Sequence, residues 1–406
     1  MNSKKTLFAL LAVVMLLMIA RKMEATNSFN EGDMCFLVDP MTVILFSESR
    51  SEILCLRWEN GFSSTVLYKY KGAFPLFVDD LRIVKLPNQG VFLTWVEDYA
   101  SNKGRTRISA ISWDREHQPE YVVIKEDDNI APASPLRVLR LGDGKYRFFY
   151  CDSSELHTIG LMHLENFYKI KTFLFSNGIM SDEKILNKKG RFSVEDFDVR
   201  QNADNTFQMA WSQDNMKNGR HEIFLASYAA DGAMMGKQKK VHCFDDDDEI
   251  IKNEDVLSIM YVKFINNGFF IGRDINRDFD PPEGDVKKGL DDIFEVNLFD
   301  SNGLKKQSYR IDYASRVGST FCGYWEKEGL CYFVGYSGTP GKREYSFKFN
   351  AISDKKVVSK VVTTKATKNE ARDTLRIVSE PDGFFYWLEV DENGKIQLRS
   401  QPVQEK

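Results

Sequence analysis

Residues 81–95 read Leu-Arg-Ile-Val-Lys-Leu-Pro-Asn-Gln-Gly-Val-Phe-Leu-Thr-Trp, and residues 375–387, near the other end of the chain, read Leu-Arg-Ile-Val-Ser-Glu-Pro-Asp-Gly-Phe-Phe-Tyr-Trp. Each is an alternating strand, a polar turn with Pro and Gly, and an apolar-aromatic strand ending on Trp. Residues 136–150 repeat the plan and end on Tyr150. Period-two alternation and β-branched and aromatic enrichment, bounded by Gly, Pro, Asn and Asp, are the marks of antiparallel strands.

The aromatic strand recurs along the chain as Val43–Phe46, Val91–Trp95, Tyr146–Tyr150, Phe207–Trp211, Phe269–Gly272, Leu330–Val334 and Phe384–Trp387. Its step of roughly 50–60 residues lies in the range of repeat folds. A third strand follows, as in Ile108–Trp113, Ile223–Tyr228 and Phe294–Phe299, then a turn such as Asp231-Gly232 or Asp300–Gly303. Tyr121–Ile124, Lys239–His242 and Ser308–Ile311 read as fourth strands. The pattern predicts an all-β, seven-bladed β-propeller of four-stranded antiparallel blades; a pair of β-sandwiches competes, but does not call for a regular seven-fold count. The last unit has only three strands, so residues 26–33 are expected to supply its outer one. The 30 Phe residues suit wedges between blades, where flat side chains fill both faces of each sheet. In fold alone the chain resembles secreted repeat-type β-propeller proteins, whose aromatic strand ends in Trp before a loop and an Asp-Gly turn. That resemblance implies a rigid scaffold and no particular chemistry.

The 406 residues carry 55 basic and 59 acidic side chains, a net charge of −4, with 43% hydrophobic residues and 11 Pro. This excludes a disordered or Pro-rich chain and leaves no basic excess for nucleic acid. Residues 1–25 differ from the rest. Lys4 and Lys5 precede an apolar run from Leu7 to Ala20, followed by Arg21 and Lys22. A basic start and an apolar run of this length describe a secretory signal peptide, or, if uncleaved, a membrane anchor. The run is short for a stable span, and no later segment approaches spanning length. The expected division is therefore a signal over 1–25 and one propeller domain over 26–406, secreted or lumenal. The six cysteines include no zinc or redox spacing. Cys322 and Cys331 flank an expected hairpin turn and are the disulfide candidate; buried thiols are the alternative.

No hydrolase signature occurs: there is no G-x-S-x-G elbow and no sialidase box, and the loop Gly335–Lys342 lacks Walker spacing. The five histidines form no ligand pair. Trp95, Trp211 and Trp387 share a column of the repeat and read as core. Arg82, Arg137 and Arg376 fall on the innermost strands as channel-lining candidates, serving either inter-blade bonding or an anion site. Asp198 takes that column in another unit.

Departures from a repeat tell more about function than its matches. One is the acidic run Asp245, Asp246, Asp247, Asp248 and Glu249 after unit four; the other is the insertion in unit five with Asp274, Asp278, Asp280 and Asp285. In a meander both belong to the same end of the blades. They fit a solvated rim, a face for a basic partner, or a Ca²⁺ site without EF-hand order; no other cofactor is indicated. The expected function is a non-enzymatic module binding a protein or glycan through this loop-rich acidic face. The alternatives are a glycan-active hydrolase with paired carboxylates near the channel, drawn from Asp196, Asp198 and Asp373, and an extracellular matrix component.

Overall fold

The computed structural model describes residues 34–402 apart from connections, the longest being 245–256, 277–291, 314–320 and 366–374; from 311 onward it describes backbone, with side chains only at 386–388 and 395–400. Residues 1–33 lie outside this range, and with them the expected leader and the expected closing strand at 26–33.

Among the described residues, twenty-seven strands form seven sheets in chain order. The first four are β1 (Met34–Asp39), β2 (Thr42–Ser47), β3 (Glu52–Arg57) and β4 (Ser63–Lys69). The second sheet holds β5 (Phe77–Lys85), β6 (Val91–Tyr99), β7 (Arg105–Trp113) and β8 (Glu120–Asp127). The third holds β9 (Arg137–Gly142), β10 (Lys145–Ile159), β11 (His163–Ser176) and β12 (Ile179–Ile185). The fourth and fifth hold β13 (Ser193–Gln201), β14 (Phe207–Asn215), β15 (Arg220–Tyr228) and β16 (Lys239–Phe244), then β17 (Leu257–Ile265), β18 (Gly268–Asn276), β19 (Asp292–Asp300) and β20 (Lys305–Tyr313). The sixth holds β21 (Phe321–Trp325), β22 (Leu330–Gly338), β23 (Glu344–Ile352) and β24 (Val357–Lys365). The seventh, three-stranded among the described residues, holds β25 (Leu375–Val378), β26 (Phe384–Val390) and β27 (Ile396–Pro402).

All pairings are antiparallel between chain neighbours, and every aromatic strand read from the sequence is a second strand. First strands meet at six junctions of the ring: β1 touches β5, β5 touches β9, β9 touches β13, β13 touches β17, β17 touches β21, and β25 returns to β1. The molecule is a seven-bladed β-propeller with the first strands at its axis.

The core lies in the wedges between blades. Leu93 and Trp95 of the second blade pack with Ile44, Phe46 and Ile53 of the first. Phe148, Tyr150 and Phe173 meet Val96 and Ile108, and Trp211 and Tyr228 meet Phe149 and Ile170. The last wedge joins Tyr386 and Leu388 to Leu37, Val43, Leu45 and Leu56 of the first blade, which closes the ring. Phe148 stacks on Phe173 at 5.0 Å and Phe269 on Phe299 at 4.9 Å. Each buried ring contributes roughly 1.5–3 kcal/mol.

Trp95 and Trp211 are fully buried, and their indole N–H groups donate to Glu97 Oε1 at 2.9 Å and Gln213 Oε1 at 3.0 Å. The same Trp-x-Glu order recurs as Trp387-Leu-Glu389. Cys35, Cys55 and Cys151 are buried within the wedges. The register sets Cys322 opposite Phe333 and Cys331 opposite Tyr324, so these two cysteines stand diagonally and not as a directly opposed pair. In the turn after β19, Gly303 has φ of 76°, and a Cβ there would meet Val241 Cγ1 at 2.3 Å. Only glycine serves both the left-handed backbone and the close approach to the neighbouring blade.

Candidate functional site

In these meanders the second-to-third and fourth-to-first connections share one face, here face one; the other two kinds share the opposite face. Because each first strand starts at face one, residues early in β9, β13 and β25 lie near the axis on that side. Arg137, the first residue of β9, is one of them.

Arg137 donates from Nε to Asp198 Oδ1 (3.1 Å) and from Nη2 to Asp196 Oδ1 (3.0 Å) on β13. The two carboxylates reach onward to β17: Val262 N–H donates to Asp196 Oδ2 (2.7 Å) and Phe264 N–H to Asp198 Oδ2 (2.8 Å). Arg200, two residues on, donates to Ile265 O at 2.9 Å and covers the Phe264 ring. Residues 196, 198 and 200 therefore present one face of β13 to the inner edge of β17 and satisfy backbone groups that no further strand pairs. Arg82 likewise donates to Leu136 O across blades, at 3.0 Å.

Lys263 adds a further cation, 3.8 Å from Asp198 Oδ2 and open to solvent over 37% of its side chain. Burial alone would raise the Asp198 carboxyl, but the charges of Lys263 and Arg137, the Phe264 N–H and Arg82 hold it below the usual carboxylate range. Against the pull of Asp198, burial and the charges of Arg137 and Arg82 keep the Lys263 ammonium below its usual range. The axis is thus a mixed set of guanidinium, ammonium and ionised carboxylate groups.

The sequence-derived candidates divide as follows. Arg82 and Arg137 both bridge blades, opposite Thr94 and Phe149, as Asp198 is opposite Ala210. Arg376 leaves that column: it pairs with Leu388, the residue after Trp387, whereas Arg82 pairs with the residue before Trp95. Asp274 lies on β18 between Ile259 and Phe294. Asp245, Asp246, Asp247, Asp248, Glu249, Asp278, Asp280 and Asp285 lie outside the described residues, as does Asp373. Among the described residues no group of three or more His, Cys, Asp or Glu is arranged to hold a metal ion.

Lys263 and a projecting hairpin escaped the sequence reading. Charged residues at 196, 198 and 200, alternating on an inner strand, were the available signal for the first. β9 covers β10 only over residues 145–149 and β12 covers β11 only over 171–176, yet β10 and β11 stay paired out to Ile159 and His163. The excess is a two-stranded ribbon leaving face one.

Its root is pinned by a buried network. Lys171 Nζ lies 2.6 Å from the fully buried Asp152, and Lys125 of the preceding blade lies 3.3 Å from both Glu183 oxygens and from Asp127. Tyr150 O–H donates to Glu183 Oε1 at 2.5 Å. Burial and that carboxylate push the Tyr150 hydroxyl far up, so it remains a donor at any ordinary pH.

No family model and no curated protein matches the sequence. Solved structures do resemble the fold. An α-L-arabinofuranosidase from Fusarium graminearum is 11% identical, covering 80% of this chain and 93% of that one, with a TM-score of 0.45. An α-L-arabinanase from Penicillium chrysogenum, complexed with arabinobiose, is 11% identical over the same 80% and 93%, with a TM-score of 0.44. A Bacillus subtilis levansucrase in complex with oligosaccharides is 10% identical over 68% of this chain and 82% of that one, with a TM-score of 0.41. The likeness is one of fold.

Proposed function

We propose that the protein is an exported glycan-binding β-propeller that takes its ligand on face one. The observation that carries this is the concentration of additions on that face. The β10–β11 ribbon projects there, and the connections with the two acidic runs leave β16 and β18 there. A scaffold does not need such additions, which is why loops on a rigid frame so often hold ligands. Toward the same face the axis sets both signs of charge side by side, Arg137 tied to Asp196 and Asp198, with Lys263 close by and part open to solvent. Surroundings with no dominant sign suit a hydroxyl-rich neutral ligand better than a polyanion or polycation. The leader at 1–25 supplies the export, and Ca²⁺ or a basic protein at the acidic runs are lesser readings of the same face.

Glycan hydrolysis is the second reading, favoured by the carboxylates beside the axis. It requires one carboxyl group that carries a proton to the leaving oxygen. Asp198, held ionised by its neighbours, does not meet that requirement. The acid role would therefore fall to another carboxyl group, while an ionised Asp198 keeps the form that a nucleophile or base requires.

Arabinose- and fructose-containing oligosaccharides are the first probes, since the arabinanase and the levansucrase above hold an arabinobiose and oligosaccharides. Titration calorimetry and reducing-end release are run together on the mature chain. Binding without release supports the binding module, release supports the hydrolase, and neither across a broad glycan array would sink the carbohydrate reading.

A further inference from the structure

A second cluster of ionisable groups lies outside the axial set, in the wedge between the fourth and fifth blades at face one. On β13 the register slips between Val194 and Asp196, so Glu195 is the extra residue of a bulge. Bulges re-aim a side chain that the regular pleat would send elsewhere. Here the carboxylate Oε1 of Glu195 meets His221 Nδ1 on β15 at 2.9 Å. Asp214 is the direct cross-strand partner of His221 on one side, and Phe244 is its partner on the other. Arg273 of the fifth blade, fully buried, lies over the Phe244 ring at 5.1 Å.

The cluster brings acidic and basic groups together. Its hydrogen bond to Glu195 raises the His221 imidazole above its usual value against the cost of burial; the Asp214 charge adds to this and Arg273 opposes it. Two carboxyl groups thus face the His221 ring and the Arg273 guanidinium. The cluster is not sealed: Glu195 and His221 keep 24% and 17% of their side chains accessible. The second oxygen of Glu195, Oε2, is itself shut from solvent and accepts no hydrogen bond from a described residue. A buried acceptor left in that state is costly unless a donor arrives.

We infer that the accessible edge of Glu195 and His221, backed by Asp214 and Arg273, forms a binding subsite for neutral sugar hydroxyls. The inference rests on the carbohydrate reading above and deepens it. A free cation meets Arg273 and His221 there, and an anion meets the two carboxylates. A hydroxyl both donates and accepts, and carries no charge to be repelled. The strands that supply Phe244 and Arg273 also lead into the two acidic segments at 245–249 and 277–291, so the subsite stands at the root of the additions on face one.

The test is calorimetric titration of the mature chain with arabinobiose, with short fructo-oligosaccharides and with a galacturonic acid dimer. At least one neutral sugar should bind, and the acidic dimer should bind at least tenfold more weakly. Glu195→Gln should lower the affinity for the neutral sugar tenfold or more with the thermal midpoint retained. Ligand occupancy should also shift the titration of the His221 ring followed by NMR. His221→Gln carries the same affinity expectation and covers the case in which Glu195→Gln fails to fold. Unchanged affinity in both variants, with the sugar still bound, overturns the subsite and leaves the carbohydrate reading standing. No neutral sugar binding to the wild-type chain overturns both.

Discussion

Asp198 shows how one residue links repeat, packing and pH. It occupies the column that holds Arg82 and Arg137 in earlier blades, and this change of sign lets it accept from Arg137, one blade back. Its second oxygen accepts from the Phe264 N–H, one blade on. Asp198→Asn removes one of the two carboxylates that hold the buried Arg137, and breaking such a pair costs about 3–5 kcal/mol. Urea unfolding of the variant should show that loss, with the urea dependence of the unfolding free energy unchanged. The pH sign follows from the depressed carboxyl. A group whose native pKa lies below its unfolded value stabilises fully above the unfolded value, about 3.9 for Asp. That contribution fades as pH falls through the native value. Wild-type stability should therefore drop in strong acid, and the drop should be shallower in Asp198→Asn.

At the scale of the element, the β10–β11 hairpin separates what the repeat dictates from what it does not. Residues 145–149 and 171–176 belong to a four-stranded sheet and pack both wedges, through Phe148, Phe149 and Phe173. Residues beyond Ser153 pair on one side only among the described strands. Replacing 154–166 by an Asn-Gly turn should shift the thermal midpoint by only a few degrees, since the Lys171–Asp152 and Tyr150–Glu183 contacts below the cut remain. Loss of glycan binding in that variant, read by calorimetry, is the outcome expected if face one is the binding face. The ribbon was hard to see in the sequence for a physical reason. Its strands, Ser153–Ile159 and His163–Phe167, lack the apolar alternation that burial imposes. The blades, by contrast, were legible because a second strand buried on both faces must be apolar at nearly every position, as β2 and the start of β6 are. Inter-blade polar contacts are legible only in part. Asp196, Asp198 and Arg200 announce a charged face by their spacing, but their partners on β17 are backbone groups with no sequence signature.

For the whole molecule the decisive contact is the one that joins its ends. A ring of blades has no free face only if the seventh wedge is as well packed as the others, and here it is built from residues more than 300 positions apart. Leu388 is fully buried between the seventh and first blades, among Leu37, Val43, Leu45, Leu54 and Leu56. Leu388→Ala leaves a cavity at that seam and should cost about 2–5 kcal/mol. Two architectures make different forecasts for where the loss is felt. In an open stack of sheets, weakening the last unit would speed hydrogen exchange in β26 and β27 and leave β1 and β2 protected. In a closed ring, β1 and β25 are neighbours, so the first blade loses part of its own cover and exchanges faster as well. Hydrogen-exchange mass spectrometry of Leu388→Ala should show β1 and β2 losing protection together with β26, while β14 and β15, on the far side of the ring, change least. If deprotection stops at the seventh blade, the seam does not bear stability, and the ring is held shut by contacts other than this wedge.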